Sequence, residues 1–228
     1  MVLNMFETEI PDTKSARTRA RISEAAIASF IERGYSDTTM RLIAERAGVS
    51  AGNAYYYFPS KNHLVQDLYE RVQREHAAAA TPLLAGERGL VDRLRVVFES
   101  GLDTLAPYQR SAPGFLSAMI APDSPINPLS ADSGPAREMT VSLFREAVEG
   151  AQHKLPADVA ELLPEALFVA YLGLVLRWTY DGSIGHEKTT RMLGAGLRLL
   201  AVSLPFVRMP GLHQTARELL TLVAEVRS

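Results

Sequence analysis

Apolar residues recur at spacings of three and four along almost the whole chain, and no segment alternates apolar and polar positions between hairpin turns. The pattern predicts helices. Ile22, Ala25, Ala26, Ser29 and Phe30 form a first stripe, which Gly34 ends just after the cation Arg33. Thr38 or Thr39 caps a second helix through Leu42, Ile43 and Ala47 to Gly48, and Ser50 caps a short third one reaching about Tyr57. Pro59-Ser60 opens a fourth, with Ser60 as cap and Leu64, Leu68 and Val72 facing inward.

After Arg74 the character changes. Ala77 to Ala80 extend the fourth helix, and Thr81 to Gly89 reads as a linker. The stripe Leu94, Val97, Phe98, Gly101, Leu102, Leu105 predicts a helix from about Leu90, broken by Pro107. Phe115 to Ile120 reads as a short apolar helix, Ala121 to Pro135 with its four prolines as a loop, and Ala136 to Gly150 as another helix. Pro164 to Tyr180 is apolar almost all round, while Glu187 to Leu204 and Pro210 to Val226 are amphipathic. The expected fold is all-α. A three-helix unit over residues 14–75, whose fourth helix leads onward, precedes a larger helical unit over residues 76–228, with the boundary near residues 75–90.

With 228 residues, 47% of them hydrophobic, the chain can bury a substantial core. Cysteine is absent, which excludes disulfides, thiolate metal sites and cysteine nucleophiles. The five histidines are scattered without metal-ligand spacing, Gly194-Ala195-Gly196 follows a helical pattern rather than a strand, and no serine sits in a G-x-S-x-G elbow. No catalytic site, metal or cofactor is expected. The opening MVLNMFETEIPD has acids where a signal peptide needs a basic stretch. Ala166 to Leu176, the longest near-apolar run, falls short of the ~20 residues of a membrane span. A soluble, cytoplasmic protein with no membrane partner is expected.

The net charge of −2 hides an asymmetry. Between Lys14 and Arg74 ten Lys/Arg face six acids, whereas the remainder has 14 basic and 20 acidic residues. A basic head on an acidic body suits one end meeting phosphate.

That head contains TTMRLIAERAGVSAGNAYYYF, from Thr38 to Phe58. A helix-turn-helix needs a small residue where two helices touch, a glycine in the turn and apolar positions that fix the crossing. Ala44, Gly48, and the set Leu42, Ile43, Ala47, Val49 and Ala54 meet those needs. Ser50 then caps the helix whose first turn reaches base edges.

The stretch from about Thr18 to Leu68 resembles the DNA-binding domain of the TetR family of transcriptional regulators. The resemblance rests on Gly34-Tyr35, Thr38-Thr39, Ile43-Ala44, Ala47-Gly48-Val49-Ser50, Tyr55, Tyr57-Phe58 and Ser60-Lys61. It implies that Ala51, Gly52 and Asn53 face bases of double-stranded DNA, with Asn53 the one side chain able both to donate and to accept. It implies phosphate contacts from Thr39, Tyr55, Tyr56 and Lys61, and an arm formed by Lys14, Arg17, Arg19 and Arg21. Other readings stay open: Tyr55, Tyr57 and Phe58 as core, Thr39 as a plain cap, and the arm cations as a solvated helix face.

The resemblance also implies a homodimer joined through the two long helices, with Leu172, Val175, Leu193, Leu197 and Leu200 as interface candidates, or burial of those residues within the monomer. It further implies a repressor released from a palindromic operator by a small, largely apolar effector. Candidate pocket residues are Phe98, Leu102, Tyr108, Phe115, Met119, Met139, Phe144, Tyr171, Arg177 and Trp178, or these are ordinary core. Arg177 is expected to pair with Asp181, four residues on, in preference to an anionic ligand. The alternatives are an activator of the same fold and a helical scaffold whose helix-turn-helix is only structural.

Overall fold

The computed structural model describes residues 13–109, 112–119, 124 and 126–225. The acidic opening stretch, Ile120, most of the proline-rich segment up to Pro125, and Val226 lie outside them. The described residues form helices and no strands. In chain order these are α1 (Lys14–Asp37), α2 (Met40–Arg46), α3 (Ala51–Tyr57), α4 (Lys61–Leu84) and α5 (Leu90–Leu105). There follow α6 (Ala112–Met119), α7 (Gly134–Glu149), α8 (Ala157–Thr179), α9 (Glu187–Ser203) and α10 (Pro210–Ala224). The chain divides into two compact units between Leu68 and Tyr69, inside α4.

In the first unit Ile22, Ala26 and Phe30 of α1 are buried with Ile43 and Ala44 of α2, Ala54 of α3, Phe58, and Leu64 and Val65 of α4. Gly34 takes φ 81°, ψ 167°, a conformation restricted to glycine, and interrupts α1 where the sequence places its end. One further turn follows before the chain becomes extended at Thr38. Thr38 is buried and donates its hydroxyl to the Gly34 carbonyl (2.7 Å), so Thr39 is the residue that caps α2, accepting from Leu42 N–H at 3.3 Å. Ser60 spends its hydroxyl on His63 Nδ1 at 2.8 Å.

The second unit is built around Leu94, Val97 and Phe98 of α5, Val141 and Phe144 of α7, Leu167, Phe168 and Tyr171 of α8, and Leu193 and Leu197 of α9. The expected linker starts later than the composition suggests, because α4 runs on to Leu84 with Pro82 inside it. Arg93 explains how that end is held. Its buried guanidinium donates to the carbonyls of Leu84, Glu87, Glu146 and Ala147 at 2.5–2.9 Å, capping the carboxyl ends of α4 and α7 together. Gly150 makes room for it, since a Cβ there would lie 2.1 Å from Arg93 Nη2.

α8 begins at Ala157, so Pro164 lies inside the helix rather than at its start. At 23 residues, with a mean hydropathy of 1.8 over its most apolar stretch, α8 is long and apolar enough to cross a membrane, contrary to the expectation from the apolar run alone. Val159, Leu163, Leu167, Tyr171, Leu174 and Trp178 form a buried stripe at helical spacing, which is the face it gives to the core. α10 packs on another side of α8, tied by His213 Nε2 to Asp158 Oδ2 at 2.9 Å.

Candidate nucleic-acid interface

The turn between α2 and α3 is fixed by three backbone facts. Gly48 adopts φ 65°, the left-handed conformation that glycine takes without strain. Its N–H donates to the Glu45 carbonyl (3.1 Å) and the Val49 N–H to the Ala44 carbonyl (3.0 Å), the paired bonds of a Schellman helix end. Ser50, extended at φ −68°, ψ 152°, then starts α3 and accepts from Asn53 N–H at 3.1 Å. Ala44 and Ala54 are both buried, small enough to let the helices approach.

This construction leaves one side of α3 bare. Ala51, Gly52 and Asn53, the three positions expected to face bases, are all exposed. A Cβ on Gly52 would meet nothing within 4 Å. Packing therefore does not require glycine here, although a helix interior favours alanine by ~1 kcal/mol. Tyr55 and Tyr56 are 50% and 79% exposed, unusual for aromatic residues of a folded unit, and Tyr56 meets Tyr57 edge-on at 5.1 Å. Tyr57 is half-buried with its hydroxyl 3.1 Å from Ser15 Oγ, and Phe58 is core. Thr39 is exposed as well as being a cap.

Two expected phosphate groups sit differently. Lys61 lies over the Tyr35 ring (4.0 Å) and donates to the carbonyls of Tyr35 (2.6 Å) and Thr38 (3.0 Å), which leaves one of its three N–H bonds free. Partial burial lowers its pKa below the ordinary lysine value. Lys14, Arg17, Arg19 and Arg21 form no extended arm: all four belong to α1. Arg19 is committed to Asp67 at 2.6 Å and stacks on Phe58. The other three are exposed and, among the described residues, unpaired. Nearby, Arg46 forms a two-bond pair with Glu32 (2.6 and 2.7 Å), which lowers the Glu32 pKa.

In the second unit Phe98, Phe115, Phe144, Tyr171 and Trp178 are buried, and Leu102, Tyr108, Met119 and Arg177 are half-buried. Phe98, Phe144 and Tyr171 share one cluster of rings 5.0–6.3 Å apart. Trp178 lies tilted against His186 instead, 5.7 Å between ring centres, and Tyr108 accepts from Arg71 at 3.3 Å. Tyr171 keeps its hydroxyl fully buried without a partner, an arrangement that costs ~1–3 kcal/mol. A surface groove of about 460 Å³ between α4 and α7 takes in Ala77, Met139 and Leu143, so only Met139 of the expected set lines it.

The expected Arg177–Asp181 pair does not form. Asp181 is buried and accepts instead from Ser183 (hydroxyl 2.5 Å, N–H 3.0 Å) and from Thr189 (hydroxyl 2.7 Å, N–H 2.8 Å), anchoring the start of α9. Those four donors hold its carboxyl far below the ordinary range.

Leu193 and Leu197 are buried in the monomer core, which for these two is the second of the readings the sequence leaves open. Leu172, Val175 and Leu200 are half-buried. The large apolar residues left exposed along α8, at its C-cap and along α9 are others: Leu176, Tyr180, Met192, Leu199 (70%) and Val202 (67%). Met192, Ala195, Leu199 and Val202 follow helical spacing one position out of step with Leu193 and Leu197, a second stripe already present in the sequence.

A capped four-residue turn between two short helices, backed by a small core, with an exposed first turn of α3 followed by exposed tyrosines, defines a helix-turn-helix protein. Comparison with known proteins gives the family. Residues 22–68 match the model for bacterial regulatory proteins of the tetR family, and residues 93–204 match the tetracyclin repressor-like C-terminal domain. The chain belongs to the TetR family.

Similar sequences include the HTH-type transcriptional repressor KstR of Mycolicibacterium smegmatis, 40% identical over 83 residues (36% of this chain, 41% of KstR). The HTH-type transcriptional regulator TtgR of Pseudomonas putida is 43% identical over 63 residues (28% of this chain, 30% of TtgR). An HTH-type transcriptional regulator of Mycobacterium tuberculosis is 43% identical over 58 residues, and the match spans about a quarter, 27%, of its length. Among solved structures, a TetR transcriptional regulator from Nitrosomonas europaea superposes with a TM-score of 0.61 at 19% identity, covering 80% of this chain and 97% of that one. FadR of Thermus thermophilus, a TetR-family repressor solved with lauroyl-CoA, gives 0.53 at 24% identity, covering 77% and 92%. These two likenesses concern the fold.

Proposed function

We propose that this chain is a dimeric repressor that binds a palindromic DNA operator through α3 and is released by a small, largely apolar effector held in the second unit. The observation that carries the reading is the exposed first turn of α3, where Asn53 stands beside a glycine that packing does not require. A missing side chain at that point favours close approach of a backbone to the floor of a groove. Tyr55, Tyr56 and Thr39 supply hydroxyls for phosphates, Lys14, Arg17 and Arg21 supply charge, and Lys61 adds its remaining N–H.

A seven-residue helix with one base-reading side chain gives little discrimination alone, so two copies on a pseudo-palindrome are needed. The exposed stripe of α9 with Leu176 of α8 and Tyr180 just past its end is the surface we assign to that pairing. Repression as the mode of action is supported by the name repressor for KstR, and an apolar ligand by the FadR structure, a TetR-family repressor solved in complex with lauroyl-CoA, a molecule with a long apolar part. α4 belongs to both units and is the covalent route between effector and DNA. Such a protein works in the cytoplasm, beside the chromosome, and performs no chemistry on its ligands.

Footprinting on the DNA upstream of its own gene tests this. The wild-type chain should protect two half-sites about one helical turn apart, and Asn53→Ala should abolish the protection without loss of fold. Equal protection by the variant would remove α3 as the reader.

A further inference from the structure

Tyr56 is the most exposed aromatic side chain among the described residues, at 79%. Helical geometry says where it stands. Ala54, in the middle of α3, is fully buried and marks the face turned to the core. Gly52 and Tyr56 lie two positions to either side of it, and at about 100° per residue both fall within roughly 20° of the opposite direction. Tyr56 therefore follows Gly52 along the outermost line of the helix, one turn on. Asn53 is three positions before Tyr56 and four before Tyr57, which puts these three on one flank, while Tyr55 falls on the other.

The exposed ring is also supported. It meets Tyr57 edge-on at 5.1 Å, and Tyr57 is itself half-buried, with its hydroxyl 3.1 Å from Ser15 Oγ on α1. A large apolar ring is thus held out on a line where the family resemblance asks only for a phosphate contact. A phosphate needs one donor, which a hydroxyl or an ammonium supplies without a ring. Phosphates flank a helix that lies in the major groove, whereas base edges lie beneath its outermost line. Among the groups that distinguish one base pair from another there, the thymine C5 methyl is the apolar one; the rest are hydrogen-bond donors and acceptors, which a ring does not serve.

We infer that Tyr56 reads sequence: its ring packs on the C5 methyl of a thymine in each half-site, while its hydroxyl, at the far end of the ring, is left for a phosphate. That thymine lies about 6 Å, roughly two base pairs, along the groove from the point where Gly52 lets the backbone approach. This role rests on the proposed reading of α3 as the DNA-reading helix, and adds to it the identity of one base.

The test uses the full chain and the tightest duplex that it selects from random DNA. Each thymine of one half-site is replaced in turn by uracil, which removes the methyl and alters no hydrogen bond. At one thymine the change should weaken wild-type binding about fourfold, the worth of one buried methyl group. Measured at low salt, where phosphate contacts keep the variants on DNA, Tyr56→Ala should bind the thymine and uracil forms of that duplex equally. Its melting midpoint should stay close to the wild type's, because the ring is not part of the core. Tyr56→Phe should bind both forms more weakly and keep the fourfold preference, which separates the ring from the hydroxyl. A wild-type scan in which uracil costs nothing at any position overturns the inference, and this arm needs no variant. A penalty that persists undiminished in Tyr56→Ala, or a preference lost in Tyr56→Phe, overturns it as well. Asn53→Ala separates that failure from failure of the α3 reading. If Asn53→Ala loses the duplex while the uracil scan is flat, α3 reads DNA without Tyr56. If no duplex is selected, or Asn53→Ala binds like the wild type, the α3 reading falls and the role of Tyr56 falls with it.

Discussion

The backbone N–H of Asn53 donates to the Ser50 hydroxyl across 3.1 Å, so the side chain best equipped to read a base is carried by the turn that Ser50 starts. Cap and reader are one unit four residues long, Ser50 to Asn53. Ser50→Ala removes the cap and should cost about 1 kcal/mol in chemical denaturation. DNA affinity should fall with it, because α3 has only seven residues over which to recover its order.

Gly52 and Gly48 make opposite predictions. Gly52→Ala should leave stability unchanged or raise it by up to ~1 kcal/mol, since its Cβ enters open space in a helix, while DNA affinity falls. Gly48→Ala should lower stability by about 1–2 kcal/mol, because its φ of 65° is left-handed. Denaturation and DNA titration of the same two variants check both. A Gly52→Ala protein that binds DNA as well as the wild type would contradict the close approach.

Much of the first unit is legible in the amino-acid sequence. The caps at Thr39 and Ser50, the turn at Gly48 and the small pair Ala44 and Ala54 are local requirements, and local chemistry is written in adjacent residues. What spacing does not reveal depends on long-range partners. Lys61 finds carbonyls 23 and 26 positions away, Arg19 finds Asp67 48 positions on, and Arg93 reaches α7 across more than fifty residues. Asp181 stands four positions beyond Arg177, but α8 has ended by then, and the carboxylate turns to the start of α9 instead.

That carboxylate makes a pH-dependent claim. Its pKa in the folded state is lowered, so it stabilises the fold above the ordinary carboxylate range, and the contribution is lost as pH falls into that range and below it. Asp181→Asn should lower the thermal midpoint at neutral pH. The gap between variant and wild type should close on acidification, as read by thermal melts across a pH series.

The two stripes of α9 should separate by assay. Leu197→Ala, in the core, should cost ~2–5 kcal/mol of stability. Leu199→Asp, at a position 70% exposed, should leave the monomer folded and shift sedimentation towards the monomer. A Leu199→Asp chain that stays dimeric would move the interface elsewhere.

The central claim is that α3 and the basic residues around it hold this protein on DNA, and a salt series tests it most directly. Affinity for DNA from upstream of its own gene should fall linearly, on logarithmic axes, with rising salt, with a slope of several units for several phosphates neutralised. Arg17→Gln should make that slope shallower by about one per subunit. Affinity that ignores salt, or no binding at the lowest salt by protein refolded free of ligand, would contradict the account.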